Sequence, residues 1–445
     1  MSSRVPPRNP VSLDAGSTEP RPFGRSSKKR RVEASVVDDF EDLERSSSNQ
    51  DGSKLEINHV VPRAIQIQLL CKYREEIEPV FPFPIMKVYE ELRERSPLLL
   101  QAVVYAASPG VLSSGVQDEL TSIVMKLAIL VATFWYRTPK NQIHIAIDRF
   151  IDLAISVSDD IGISKLDCAL SVASANLGDQ VSSSDAWRTW NLCYLLSASL
   201  GSSMRIPPKI AWDADLEMKL SSLEYGRDAL STDGFLYRFV RAERLCQQIT
   251  VEAGYHGSDS TLEVTDHAEI RRIQNLIRDR KAQVYSSVSC PSLKLYEHVA
   301  TLYLHERILH TPTNKRSFAA PYVAERLSMS DFPAPLVTPS DIPFLYGLRD
   351  ACRAVLNTIM AFEVMEIAPP PLLMLSAKAY YANWLLTKLY IAVTASGNTY
   401  GAFINAESLE LENHLGKMAD LGDTICTIDE AYVAGKGLLS AKRLR

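Results

Sequence analysis

Six apolar side chains between positions 345 and 362 recur at intervals of three and four: Leu345, Leu348, Cys352, Val355, Ile359 and Phe362. An α-helix turns about 100° per residue, so this spacing lines all six along one face. A strand cannot use it, because strand side chains change sides at every residue. The same rule runs through Ile143, Ile147, Phe150, Ala154 and Val157, and through Ala377, Tyr381, Leu385 and Leu389. No sustained two-residue alternation bounded by turn residues competes with it. The expectation is an all-α protein: a large multi-helix body over 58–445, preceded by a tail over 1–57.

Punctuation in the body supports that division. His59 to Ile77 reads as helix and leads into Phe81-Pro82-Phe83-Pro84, an extended turn. Met86–Glu94 reads as the next helix, and Pro97 opens another through Leu99, Val103 and Ala107. Gly162 stops the helix that begins near Ile143. Trp187 to Arg205 places Trp187, Trp190, Tyr194 and Ala198 on one face, which makes the tryptophans core rather than site. In that segment Gly201 reads as the helix stop, with Arg205, Pro207 and Pro208 closing it. Six prolines mark 311–343 as a long loop or linker, and Pro369-Pro370-Pro371 separates two later helices.

The tail is poor in apolar residues and rich in Ser, Pro and charge, a composition that cannot offset the entropy of ordering. Its charge is divided. Residues 1–32 carry +6 and residues 33–44 carry −6. Lys28, Lys29, Arg30 and Arg31 form the basic core, the kind of flexible cluster that lies extended in an acidic nuclear import receptor. The acidic run with Phe40 and Leu43 has the composition of a solvating tail or a small activation segment. The net charge of −5 excludes a broadly basic nucleic-acid binder. There is no apolar leader in the first thirty residues, and Leu127 to Tyr136 is too short to span a bilayer. The later apolar run is interrupted by Lys378 and Lys388. A soluble intracellular chain is expected.

Seven cysteines at 71, 168, 193, 246, 290, 352 and 426 show no metal-ligand spacing and are expected to be buried small apolar residues. Two tempting motifs fail on geometry. His305 and His310 are five apart, not the four that puts two histidines on one helix face for zinc. Leu295, Val299, Leu302 and Leu309 form the buried stripe beside them. Asp159-Asp160 has Ile163 where a metal-diphosphate box of the isoprenoid-synthase kind needs a third acid, so the pair reads as a polar helix end. No phosphate loop, dinucleotide fingerprint or nucleophile elbow occurs. No catalytic residue, cofactor or metal is therefore expected.

Five passages in order resemble the regulatory (middle homology) region of fungal binuclear-zinc-cluster transcription factors: Glu78–Pro84, Arg95–Ala102, Leu127–Tyr136 continuing to Ile161-Gly162-Ile163, Trp187–Arg205, and Asp233–Ile249. Tyr296–His310 and Tyr380–Leu389 extend the likeness, which spans about residues 65–400. Asp185-Ala186-Trp187-Arg188 keeps one arginine where many members start with two. The family's six-cysteine cluster has no counterpart in residues 1–57, so its zinc ligands and its DNA-reading helix map to no position here. What the resemblance implies is a nuclear transcription regulator of a metabolic gene set, secondary-metabolite clusters included. Its partners would be other transcription proteins, an import receptor and a small-molecule effector; DNA would be met indirectly or through the missing cluster. Two other readings stay open: an all-helical enzyme of isoprenoid-synthase type, and a truncated zinc-cluster factor. DNA contact through 25–31 alone would be non-specific and salt-dependent.

Overall fold

The chain divides into two units, Met1–Leu55 and Glu56–Arg445. The computed structural model describes most of 56–77, 88–120, 147–164, 183–225, 230–252, 290–327, 336–367, 373–428 and 433–444, with short pieces of 271–279. All of these belong to the second unit. Among the described residues 81% are helical and none lies in a strand, so the fold is all-α, as the three-and-four spacing requires. The tail with Lys28–Arg31 and the acidic run, the Phe81–Pro84 turn, Leu127–Tyr136, Cys168 and Pro369–Pro371 lie outside the described residues.

In chain order the helices are α1 (Glu56–Val60), α2 (Arg63–Lys72), α3 (Tyr89–Arg95), α4 (Pro97–Ala107), α5 (Ile147–Asp160), α6 (Ser183–Met204) and α7 (Ala214–Tyr225). They continue with α8 (Asp233–Glu252), α9 (Pro291–His305), α10 (Ile342–Met360), α11 (Val364–Ile367), α12 (Leu373–Thr394), α13 (Leu411–Ile428) and α14 (Val433–Leu439). The first helix starts at Glu56, two residues inside the stretch assigned to the tail. Within 311–343 the described residues form loop and 3-10 turns at Lys315–Phe318 and Ala324–Arg326. Pro343 sits in the first turn of α10, where its missing N–H costs nothing.

The layers follow from which faces are apolar. The stripe Leu345, Leu348, Cys352, Val355, Ile359 is fully buried and packs α10 against α9 and α12. α6 is covered by α5, α7, α8 and α12, and α8 in turn packs on α9. On α6, Trp187, Tyr194 and Ala198 are buried and Trp190 is half-buried, so the aromatic stripe is core. α12 is buried on every side from Tyr381 to Leu389, which makes it the central helix of this packing.

Two sequence-based expectations need correcting. Gly201 does not stop α6; the helix continues through Met204. A Cβ on Gly201 would stand 2.9 Å from the Ile206 carbonyl oxygen and 3.4 Å from Pro208 N, so the glycine is there to let the exit strand fold back closely. The residue that ends the helix is Arg205, in the left-handed conformation at φ 60°. Second, Cys71 is exposed and Cys290 and Cys426 are half-buried, whereas Cys193, Cys246 and Cys352 are core residues as expected. The two lysines that interrupt the apolar run of α12 are buried, Lys378 at 1% exposure and Lys388 at 0%.

Candidate functional site

The exit of α6 is built around a charge. The N–H of Ile206 donates to the Gly201 carbonyl at 3.1 Å, the six-to-one bond of a helix end whose next residue turns left-handed. Glycine normally takes that place, because a side chain there costs about 1–2 kcal/mol. Here Arg205 takes it and sends its guanidinium inward. Nη2 donates to both carboxylate oxygens of Glu306, at 3.0 and 2.7 Å. Side-chain exposure is 2% for Arg205 and 0% for Glu306.

Aromatic rings close the cage. The guanidinium carbon lies 4.2 Å from the Tyr303 ring centroid and 4.8 Å from that of Tyr381. Such contacts contribute about 2 kcal/mol when desolvated. Tyr381 Oη donates to Glu306 Oε2 at 2.8 Å. Tyr322 packs its ring on Tyr381 and Trp384 and donates to the Ser203 carbonyl at 2.5 Å, tying the proline-rich loop to the last turn of α6. The His310 ring lies 4.1 Å from Phe318, with Nε2 3.6 Å from Glu306 Oε1.

A second ion pair adjoins the first through Ser202. Lys378 Nζ of α12 lies 3.1 Å from Glu243 Oε2 of α8, both side chains at 0% exposure, and 4.7 Å from the Tyr296 ring centroid. Ser202 Oγ donates to Glu243 Oε1 at 2.6 Å, and Lys378 Nζ reaches the same hydroxyl at 3.5 Å. Two cations and two anions thus meet at the C-terminal turn of α6, supplied by α6, α8, α12 and the 3-10 turn Glu306–Leu309 that follows α9.

The electrostatics are those of a dry site. Burial pushes the Glu306 carboxyl up to about 7, although Arg205 and the Tyr381 hydroxyl pull the other way. Burial would lower the Arg205 guanidinium, but Glu306 and the three tyrosines outweigh it and hold it well above its usual value. The Tyr303 and Tyr381 hydroxyls are likewise raised, by burial first. The two ion pairs and their tyrosine contacts tie the end of α6 to α8, α12 and the turn after α9.

Of the residues singled out from the sequence, His310 borders the cluster, and the others fall elsewhere or outside the described residues. Asp159 and Asp160 are exposed at the end of α5. His305 is the last residue of α9 and its Nδ1–H donates to the Thr301 carbonyl, 2.7 Å away, and burial lowers its pKa. No group of three or more metal-ligating side chains occurs among the described residues. Lys28, Lys29, Arg30 and Arg31 lie outside them. The cluster itself carried a signal in the sequence. Glu306 continues the spacing of Leu295, Val299 and Leu302 on the way to Leu309, and Glu243 stands between Phe239 and Cys246 at four and three. An acid on an apolar stripe is either a break in the helix face or half of a buried pair. No protein-family model, curated protein or solved structure matches the chain.

Proposed function

We propose that this chain is a nuclear regulator of transcription for a metabolic gene set, secondary-metabolite biosynthesis included, acting through its helical body on partner proteins. The observation that carries the proposal is the order of passages resembling the regulatory region of fungal zinc-cluster factors. Most of the described residues of those passages lie in α4, α6, α8, α9 and α12, the helical character that the resemblance implies. The basic run Lys28–Arg31 supplies the import signal that a nuclear role needs. On this reading the chain is not an enzyme. It binds other transcription proteins and an import receptor, answers to a small-molecule effector, and meets DNA through those partners. The buried ionic cluster holds the relative angle of α6, α8 and α12, the geometry on which a partner-binding face depends.

The test is a fluorescently tagged chain in its own cells, with and without Lys28→Ala, Lys29→Ala, Arg30→Ala and Arg31→Ala together. Nuclear accumulation of the parent and its loss in the quadruple variant, with a matching loss of target transcripts, is expected. A parent that never enters the nucleus defeats the proposal. Unchanged import of the variant removes the role of the basic run.

A further inference from the structure

Part of the proline-rich loop, residues 314–327, is held to the central helix by a row of side chains. Three of them, at steps of four along α12, donate to main-chain carbonyls of the loop: Tyr380 Oη to Tyr322 at 3.0 Å, Trp384 Nε1 to Ser317 at 3.2 Å and Lys388 Nζ to Arg326 at 3.1 Å. Residues four apart share one face of a helix. On that face α12 supplies the donors and the loop the acceptors. The contact reads the loop's backbone rather than its side chains.

The loop is also braced within itself. Arg326 Nη1 donates to the Ala319 carbonyl at 3.0 Å. The Ser317 N–H and hydroxyl both donate to the Asn314 carbonyl, at 2.8 and 2.7 Å. A loop closed by its own contacts moves as a unit instead of fraying from one end. What it covers is partly polar. Lys388, at 0% exposure, has its ammonium between Phe318 of the loop, 5.0 Å from the ring centroid, and Trp384 of its own helix, 5.4 Å away. A buried cation regains hydration when its cover lifts, which offsets part of the cost of exposing the Phe318 and Tyr322 rings. Such a cover opens more readily than one seated on aliphatic side chains alone.

We propose that residues 314–327 are a latch. The segment sits on the Tyr380–Trp384–Lys388 row of α12 and opens as a unit while the helices stay folded. Closed, it occupies that face itself and withholds it from other chains. Open, it leaves a row that accepts an irregular peptide segment through its carbonyls. The proposal stands apart from the transcription reading, since it rests on this packing alone.

The test uses the full chain and three readouts. Hydrogen exchange compares the amides of 314–327 with those of α10 and α12. Limited trypsin digestion follows the Arg326–Leu327 bond, whose carbonyl is the one Lys388 holds, so that its cutting tracks the open population. The loop amides should exchange together and at least about tenfold faster than those of α12. Tyr380→Phe, which removes one hydroxyl and keeps the ring, should raise both loop exchange and cutting after Arg326 by about fivefold, with α10 and α12 unchanged. The third readout is a labelled synthetic peptide copying 311–327. It should bind Tyr322→Phe, whose loop loses its bond to the Ser203 carbonyl while the row stays intact, about fivefold more tightly than the parent, because the seat is open more often. Thermal melts check that both variants fold. Loop amides that exchange only as slowly as α12, cutting that ignores Tyr380→Phe, or a peptide that binds neither chain or both alike overturns the proposal.

Discussion

Helices α5 and α6 end in the same backbone figure with opposite chemistry. At α5 the Ile163 N–H donates to the Ser158 carbonyl at 2.9 Å around Gly162, whose φ is 79°. At α6 the Ile206 N–H donates to the Gly201 carbonyl at 3.1 Å around Arg205, whose φ is 60°. Gly162 reaches that conformation without strain, and a Cβ there would meet nothing within 4 Å. Arg205 reaches it against its own preference, because its side chain has a carboxylate and two tyrosine rings to meet inside. A helix end of the first kind is set by local backbone energetics. One of the second kind is set by tertiary contacts and lasts only while they do.

The sharpest way to break that contrast is Glu306→Ala. Arginine cannot shed its proton, so Arg205 would be left as a bare charge in the core, at a cost of about 3–5 kcal/mol in denaturant unfolding. Replacing both partners, Arg205→Met with Glu306→Leu, should recover most of that loss, since an apolar pair of similar volume is tolerated where a broken ion pair is not. A double variant as unstable as Glu306→Ala would mean the pair is not the organising contact.

Next in size is a pH effect. Glu306 has a folded-state pKa raised from 4.5 to about 7, so the folded chain holds that proton more tightly than the unfolded one. The stability contributed is fully present below about 4.5 and is lost as pH rises through about 7, a change on the order of 3 kcal/mol. His305 and His414 have lowered values through burial and act in the opposite sense, losing stability as pH falls below the ordinary histidine range. The informative quantity is therefore parent minus Glu306→Gln, measured across pH 4.5–8. It should decline with pH and then level off; a flat difference removes the titration from Glu306.

Arg205→Gly puts the favoured residue at the left-handed position and should still destabilise, by about 1–3 kcal/mol. Relief of about 1 kcal/mol of strain is outweighed by the lost pair, and Glu306 can neutralise itself where Arg205 could not. A more stable Arg205→Gly would reduce α6 to the α5 case. Smallest are the glycines. Gly162→Ala should cost about 1 kcal/mol through φ alone, and Gly201→Ala about 1–2 kcal/mol through its clash with the Ile206 carbonyl. Thermal melts of the two separate strain from crowding, because Gly201 is helical and Gly162 has open space.

Much of the fold was legible because it rests on short-range order. The stripe at 345–362, the start at Pro97 and the stop at Gly162 each need only a few neighbours in sequence to be specified, and each appears in the structure. Gly201 misled because glycine near a helix end usually marks the turn itself, whereas here it makes room for the turn four residues later. The ionic cluster was hidden for a different reason. Glu306, Glu243 and Lys378 look like interruptions of apolar faces, and what turns them into core residues is a partner far along the chain. Cys71 shows the limit from the other side: an apolar residue type on α2 that the packing leaves exposed. Of the site residues read from the sequence, Lys28–Arg31 lie outside the described residues and Asp159-Asp160 sits away from the cluster, whereas the rejected His305–His310 segment contributes Glu306 and, at its edge, His310.

The spacing of those partners has a consequence for how the protein is made. Arg205 waits 101 residues for Glu306, Glu243 waits 135 for Lys378, and Ser202 waits 176 for the same lysine. A chain emerging from the ribosome from its N-terminus exposes the end of α6 and the inner face of α8 until α12 has been synthesised, because closing such long loops precedes the contacts that reward it. During that interval the nascent body is an unfinished shell around a vacant axis, held only by the helices that precede α12. Chains ending short of residue 373 should be recognised by chaperones and proteases as folding intermediates, however many of their helices have formed.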